Sequence, residues 1–427
     1  MRAERLAMAI LAAVVALVGC QARLGPSSRP AYVAPSEFEP QEYIWLTWVE
    51  RGWLGGPSLA EASLEALRVI VPHVRVRLVF SALAEDDSSF FPPHRRSPAA
   101  AEERLRTRLR HEGIDMSRVE MIFHRQPVGA IQDPGPYFLR ASHGGLAIAD
   151  YRYDHPEPAI EALDRDLAAR LGLPTVPSPL VSEGGARQVN GRGTLLLTES
   201  VELARNPGMS RGDIEREHRR VLGVTRVIWL KQGPADEEWG RLADGRWGIG
   251  TGGHVDVFAR FAGERTILLA QVNEAQRAAH PIAAETHRRM EENLRLLRTA
   301  RDQDGQPFRI LRVPIPDPMT ASVTYDALAP EEQSWFEGAT AGDRIEFYLP
   351  RGYLNFIIAN GVVVTARYWR EGLPESLRHT DQQAAQSLAA AFPNRRIVQV
   401  DAVALNYEGG GLHCYSRNQP HADLVPR

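Results

Sequence analysis

From residue 43 onward the chain switches between short β-type runs and helical stretches, and no segment is long or polar enough to separate one domain from another. Runs rich in β-branched and aromatic residues predict strands over 43–49, 74–80, 119–123, 193–198, 226–230, 266–271, 309–313, 354–358, 362–366 and 396–400. Apolar residues at helical spacing predict helices over 59–71, 99–112, 159–171, 211–222, 283–300 and 381–391, with Ser210 as an N-cap. Such alternation leads to strands covered by helices, a single α/β domain over 37–427. A strand–helix–strand pattern recurs, but too irregularly to establish a sequence repeat.

The first residues are of another kind. Arg2 and Arg5 precede an apolar run over 6–19, shorter than the roughly 20 residues that span a bilayer. That layout predicts a secretory signal peptide over 1–19. It ends in Leu17-Val18-Gly19-Cys20, which resembles a bacterial lipobox and implies lipidation of Cys20. An uncleaved anchor is the alternative. Residues 20–36, rich in Pro, Ser and Ala, read as a flexible tether, and 85–98 as a surface loop. The expected location is outside the inner membrane, with the lipid as the only membrane contact, at the outer membrane or in the periplasm. Gln21, in place of an Asp, favours outer-membrane sorting.

Export gives the cysteine count a meaning. With Cys20 lipidated, Cys414 is the remaining thiol, so neither an intrachain disulfide nor a cysteine-based zinc site can form. Cys414 is then either a reactive group or a buried, inert one. The formal net charge of −3 provides no footprint for nucleic acid.

Four glycine-flanked polar clusters could carry chemistry. Cys414 follows Gly409-Gly410-Gly411-Leu412-His413, where glycines permit close backbone approach to a nucleophile or simply make a turn. His254-Val255-Asp256 follows Gly252-Gly253; if extended, it would set imidazole and carboxylate on one face. Such a pair can serve as base and cation binder, as a structural pair, or as part of a metal site, although no third ligand stands at suitable spacing. Glu183-Gly184-Gly185 and Gln132-Asp133-Pro134-Gly135 place two more acids beside turns, and Asn190-Gly191 has hairpin chemistry. One thiol, one imidazole and several acids also fit a papain-like protease. Carboxylates suit a planar guanidinium better than a neutral peptide bond.

In chain order, Glu39-Pro40-Gln41-Glu42-Tyr43-Ile44-Trp45-Leu46, Asp133-Pro134-Gly135-Pro136, Glu183-Gly184-Gly185, Leu203-Ala204-Arg205-Asn206-Pro207, Leu222-Gly223-Val224-Thr225-Arg226, Gly253-His254-Val255-Asp256, Tyr353-Leu354-Asn355-Phe356 and Gly411-Leu412-His413-Cys414 resemble the agmatine deiminase and Porphyromonas-type peptidylarginine deiminase family of the guanidino-group-modifying superfamily. The resemblance implies a pseudo-fivefold α/β propeller (pentein-like) with the site on its axis. It implies Cys414 as nucleophile, His254 as shared acid and base, Asp133 and Asp256 gripping the guanidinium, Glu183 orienting His254, and Asn355 lining the pocket. The implied reaction hydrolyses a guanidinium of agmatine, arginine or peptidyl-arginine to a ureido group and ammonia, with no metal or organic cofactor. Amidino transfer and non-catalytic guanidinium binding are the alternatives. Gln132 departs from the family's Arg before the first Asp, and the stretch 153–158, which corresponds to the family's carboxylate-binding arginines, has none, with Arg140 and Arg152 nearby but without a clear equivalence. No partner besides a small-molecule or peptide substrate is implied, and the oligomeric state is left open.

Overall fold

The computed structural model describes residues 30–422 apart from 51, 83–96, 154 and 156. Its building unit is plainest around Asn190-Gly191. Strand Arg187–Val189 turns back at Gly191, whose φ of 70° suits glycine, into Thr194–Thr198, with Gln188 opposite Leu196. Helix Arg211–Leu222 then crosses over, and Arg226–Leu230 pairs in parallel with Thr194–Thr198. Ser210 and Asp213 cap that helix reciprocally, and Gly223 ends it in the left-handed conformation at φ 65°. The middle strand, flanked on both sides and covered by helices, is buried throughout and therefore reads as a plain apolar run.

The unit of antiparallel hairpin followed by parallel crossover occurs in five sheets. The first contains Tyr137–Ala141, Leu146–Arg152 and Thr175–Val181. The second is the one above. The third has Ala259–Gly263, Thr266–Gln271 and Arg309–Pro314, and the fourth Ile357–Ala359, Val362–Arg367 and Arg396–Asp401. In the fifth, the C-terminal strand Ser416–Pro420 pairs antiparallel with the early strand Gln41–Trp48, which continues in parallel to Arg75–Phe80 and Val119–Phe123. Joining the last strand to an early one closes the ring, so the five sheets form the blades of the expected propeller. A sixth sheet, Trp239–Arg241, Trp247–Ile249, Arg344–Tyr348 and Thr320–Thr324, is assembled from the connections on either side of the third blade. It has its own apolar core around Trp247, Phe336 and Phe347.

Several boundaries differ from the sequence reading. The tether was expected to run to Ser36, yet Tyr32–Val33 already pairs with Ala141 and Arg140, and Ala34 and Ser36 are buried. Strands 137–141, 146–152 and 175–181 went unread because Arg140 and Asp150 interrupt the apolar runs and Pro177 and Pro179 mimic a loop. The prolines are tolerated because 175–181 lies at a sheet edge. Helix Glu375–Ala391 begins six residues before its expected start. Cys20, the signal segment 1–19 and most of the 85–98 loop lie outside the described residues.

Candidate active site

Each blade enters its first strand through a polar turn, and those turns converge on the axis. Asp133 precedes Tyr137–Ala141, Glu183 precedes Arg187–Val189, and His254 and Asp256 precede Ala259–Gly263. Asn355 stands two residues before Ile357–Ala359, and Cys414 two before Ser416–Pro420. Gly185 marks where three blades meet. A Cβ there would lie 2.9 Å from His254 Nδ1, 3.0 Å from Asp133 Oδ1 and 3.1 Å from Asp256 Oδ2. Likewise a Cβ on Gly410 would lie 2.9 Å from Cys414 Sγ. The glycines flanking the polar residues serve close packing at the axis.

His254-Val255-Asp256 is not extended, as the alternation argument supposed. Val255–Val257 is a 3-10 turn, and both polar side chains reach the axis from its two sides. Asp133 keeps its place without the family's preceding arginine. Its Oδ1 accepts from Gly185 N at 2.9 Å, while the Gln132 N–H donates to Cys414 O at 2.9 Å. Backbone contacts therefore hold the turn whatever side chain occupies position 132. Arg140 is ion-paired with Glu39.

Asn355 joins Cys414 to Asp256. Its Nδ2 lies 3.1 Å from Asp256 Oδ2 and 3.4 Å from Cys414 Sγ, and its Oδ1 accepts from the backbone N–H groups of His413 at 2.8 Å and Cys414 at 3.3 Å. His254 lies between two acids, with Nδ1 3.7 Å from Asp133 Oδ1 and Nε2 3.7 Å from Glu183 Oε2. Both ring nitrogens, Glu183 Oε2 and Asp256 Oδ1 are buried without a hydrogen-bond partner. Such groups cost about 1–3 kcal/mol each unless a ligand satisfies them, and the five N–H donors of an alkyl guanidinium match the carboxylates.

Three participants escaped the sequence reading as site residues. His413 Nδ1 lies 2.6 Å from Asp256 Oδ2 and its Nε2 2.9 Å from Glu37 Oε1, while Glu37 pairs in turn with the buried Arg260. Arg205 pairs with Glu183. His413 and Arg205 stand inside motifs that could have flagged them. Glu37 sits at the edge of a Pro-rich stretch that carries no such signal.

Burial alone would depress the His254 pKa, but the charges of Asp133, then Glu183 and Asp256, raise it to about 9, leaving an imidazolium near neutrality. Burial opposes ionisation of Glu183, yet His254 and Arg205 overcome it and hold that carboxyl at about 2. Burial, followed by Asp256 and Asp133, pushes the Cys414 thiol well up. Burial also raises Asp133, and it lifts Glu237, near Asp256, to about 8. The site is thus a neutral thiol and a proton-bearing imidazole among acids. Among the described residues, no group of three or more His, Cys, Asp or Glu side chains is placed to hold a metal ion.

A cleft of about 600 Å³ adjoins the axis, and its lining includes Pro134, next to Asp133, and Gly409 and Tyr415, near Cys414. Tyr153 lines it too, and its phenol is pushed up by burial and then by Asp133, Glu183 and Cys414, which places it within reach of the site's charges.

Five blades aiming a thiol, an imidazole and carboxylates at one axial point define an α/β-propeller enzyme of the guanidino-group-modifying class. The chain belongs to the Porphyromonas-type peptidyl-arginine deiminase family, whose model matches residues 33–420. It is a hydrolase acting on amidine C–N bonds. A Streptomyces coelicolor protein assigned as an agmatine deiminase is 32% identical over 403 residues, 90% of this chain and 98% of that one. The agmatine deiminase of Ectopseudomonas mendocina is 27% identical, over 90% and 95% of the two chains. The solved structure of the Enterococcus faecalis agmatine deiminase shares the fold at a TM-score of 0.69 and 21% identity, covering 92% of this chain and 98% of that one.

Proposed function

We propose that the protein deiminates a guanidino compound outside the cytoplasm, held to a membrane by a lipid on Cys20, and that Cys414 forms a covalent amidino-thioether in the course of the reaction. The observation that carries this reading is the Asn355 amide reaching both Asp256 Oδ2 and Cys414 Sγ, with His254 between Asp133 and Glu183 at the same axial point.

The chemistry follows from the charges. Burial, then Asp256 and Asp133, raise the thiol pKa; a guanidinium between Asp133, Asp256 and the sulfur offsets the acids, and the thiol releases its proton to solvent. The thiolate attacks the central carbon, forming the S–C bond. The His254 imidazolium gives its proton to one amino group, and the C–N bond breaks to release ammonia. Water then adds to the amidino-thioether while His254 takes one of its protons. The C–S bond breaks, the departing sulfur takes the remaining proton of the oxygen-protonated product, and the ureido compound leaves. Protons balance: each turnover yields ammonia and one proton from the cation and water.

Agmatine is the substrate in the relatives' names, and peptidyl-arginine in the family's. Agmatine and an arginine inside a peptide both lack a free carboxylate at the end of the guanidinoalkyl chain, and among the described residues no lysine or arginine lines the adjoining cleft to bind one. Export favours arginine residues of peptides. Ammonia and ureido product should appear with agmatine or an internal-arginine peptide and vanish in Cys414→Ala. Guanidine consumed without ammonia release would replace hydrolysis with amidino transfer, and absence of turnover would leave only binding.

A further inference from the structure

Strand Ser416–Pro420, which closes the ring, carries a buried cation that the proposed reaction does not use. Arg417 is 5% exposed, and among the described residues it forms no salt bridge with a carboxylate. Its Nε donates to Pro136 O at 3.0 Å, and its guanidinium carbon lies 4.1 Å from the centroid of the Tyr137 ring. A buried charge needs partners, and a desolvated aromatic face supplies part of that need. Pro136 and Tyr137 follow directly on the turn that aims Asp133 at the axis. Arg417 thus braces that turn from behind.

The other flank of the guanidinium meets the turn that carries Glu183. A Cβ on Gly184 would lie 1.8 Å from Gln132 O and 3.1 Å from Arg417 Nη1. Arg417 therefore stands at the seam between Gln132-Asp133 and Glu183-Gly184. Backbone bonds cross the same seam. The Gly184 N–H donates to Asp133 O at 3.4 Å, and the Gln132 N–H donates to Cys414 O at 2.9 Å. The turns of Asp133 and Glu183 are tied to each other and to the cysteine. Burial pushes the Arg417 pKa down to about 10, which leaves it charged near neutrality, and Glu37 and Asp133 are the carboxylates that oppose the fall. Position 132, where the family pattern has an arginine, is a buried Gln here. The cation at this seam comes instead from the far end of the chain.

We propose that Arg417 is a positioning residue that fixes the turns of Asp133 and Glu183, supplying from the closing strand the cation that would otherwise stand at position 132. The proposal rests on the deiminase reading, in which Asp133 grips the substrate guanidinium, and adds the group that holds Asp133 in place. The two positions are alternatives, because two guanidinium groups at one buried seam repel each other.

The test compares the wild type with R417Q, Q132R and the double variant Q132R/R417Q, using agmatine and an internal-arginine peptide. Misplacing a group that holds the substrate by about 1 Å can cost about 100-fold, so kcat/KM should fall by about that factor in R417Q, with KM rising as kcat falls. Q132R, with two cations at the seam, should also lose activity. The double variant, back to one cation, should recover at least about tenfold over R417Q. A side chain that only filled space at 417 would not be replaced from position 132, so this recovery separates positioning from packing. Thermal midpoints and the yield of folded protein are read alongside. Where R417Q does not fold, a yield restored in the double variant supports the same relationship. R417Q within about threefold of the wild type, or a double variant no better than R417Q in both activity and folded yield, overturns the proposal. Titration calorimetry with the two compounds reads the order of affinities without turnover. A wild type that binds but releases no ammonia fails the deiminase reading alone, and Arg417 is then judged on those affinities. Binding of neither compound by the wild type overturns both.

Discussion

The imidazole of His413 meets Asp256 at 2.6 Å, Nδ1 to Oδ2, one residue before the cysteine at the centre of the site. With its other nitrogen 2.9 Å from Glu37, the ring props one of the acids that would grip the substrate, and Asn355 approaches the same Oδ2. His413→Ala removes a partner from a fully buried carboxylate, a loss of about 1.5–3 kcal/mol. Steady-state kinetics should show kcat/KM falling about 10- to 100-fold. A change smaller than about twofold would remove His413 from the positioning of Asp256.

Asp256 itself should act on binding as well as on rate. Asp256→Asn keeps the shape but weakens a charge-assisted grip on the guanidinium. Substrate titrations should show KM rising and kcat falling together, and unchanged kinetics would contradict the role.

The pH profile follows from His254. Its folded value of about 9 lies above the ordinary histidine value of about 6.5. The proton on His254 therefore stabilises the fold fully below about pH 6.5, and that contribution is lost as pH rises through about 9. Ammonia leaving needs the same proton, so kcat/KM should decline on the alkaline side near pH 9. Glu183→Gln removes a carboxylate that raises the imidazole and should move the alkaline limb to lower pH. Identical limbs in the two proteins would separate Glu183 from His254.

Gly185→Ala would drive a methyl group against His254, Asp133 and Asp256, each 2.9 to 3.1 Å from the new carbon. Overpacking of this kind costs about 1–3 kcal/mol, so activity should fall at least about tenfold while the far-ultraviolet spectrum stays that of the folded protein. Near-wild-type activity would show that the three side chains do not meet there in solution.

The sequence carried much of the site and less of the frame. Cys414, His254, Asp256, Asp133, Glu183 and Asn355 stand beside glycines or inside ordered motifs, and their chemistry marks them without a structure. What glycine contributed was hidden: Gly185 reads as a turn, whereas its lack of a Cβ makes room for side chains from the two neighbouring blades. The Glu37–Arg260 support was illegible because ion pairs between residues so far apart leave no local pattern. Among strands, Thr194–Thr198 was plain because burial on both faces demands an apolar run, while Thr175–Val181 was masked by prolines that only an edge position tolerates. The sixth sheet escaped because its strands are contributed in pieces from either side of a blade.

The most direct test of the central claim is intact-protein mass spectrometry of samples acid-quenched during turnover, run beside ammonia release. The account predicts an amidino adduct on Cys414 that decays as ureido product accumulates, and neither adduct nor ammonia from Cys414→Ala. Ammonia released by Cys414→Ala at more than about a tenth of the wild-type rate, with no adduct on either protein, would contradict it.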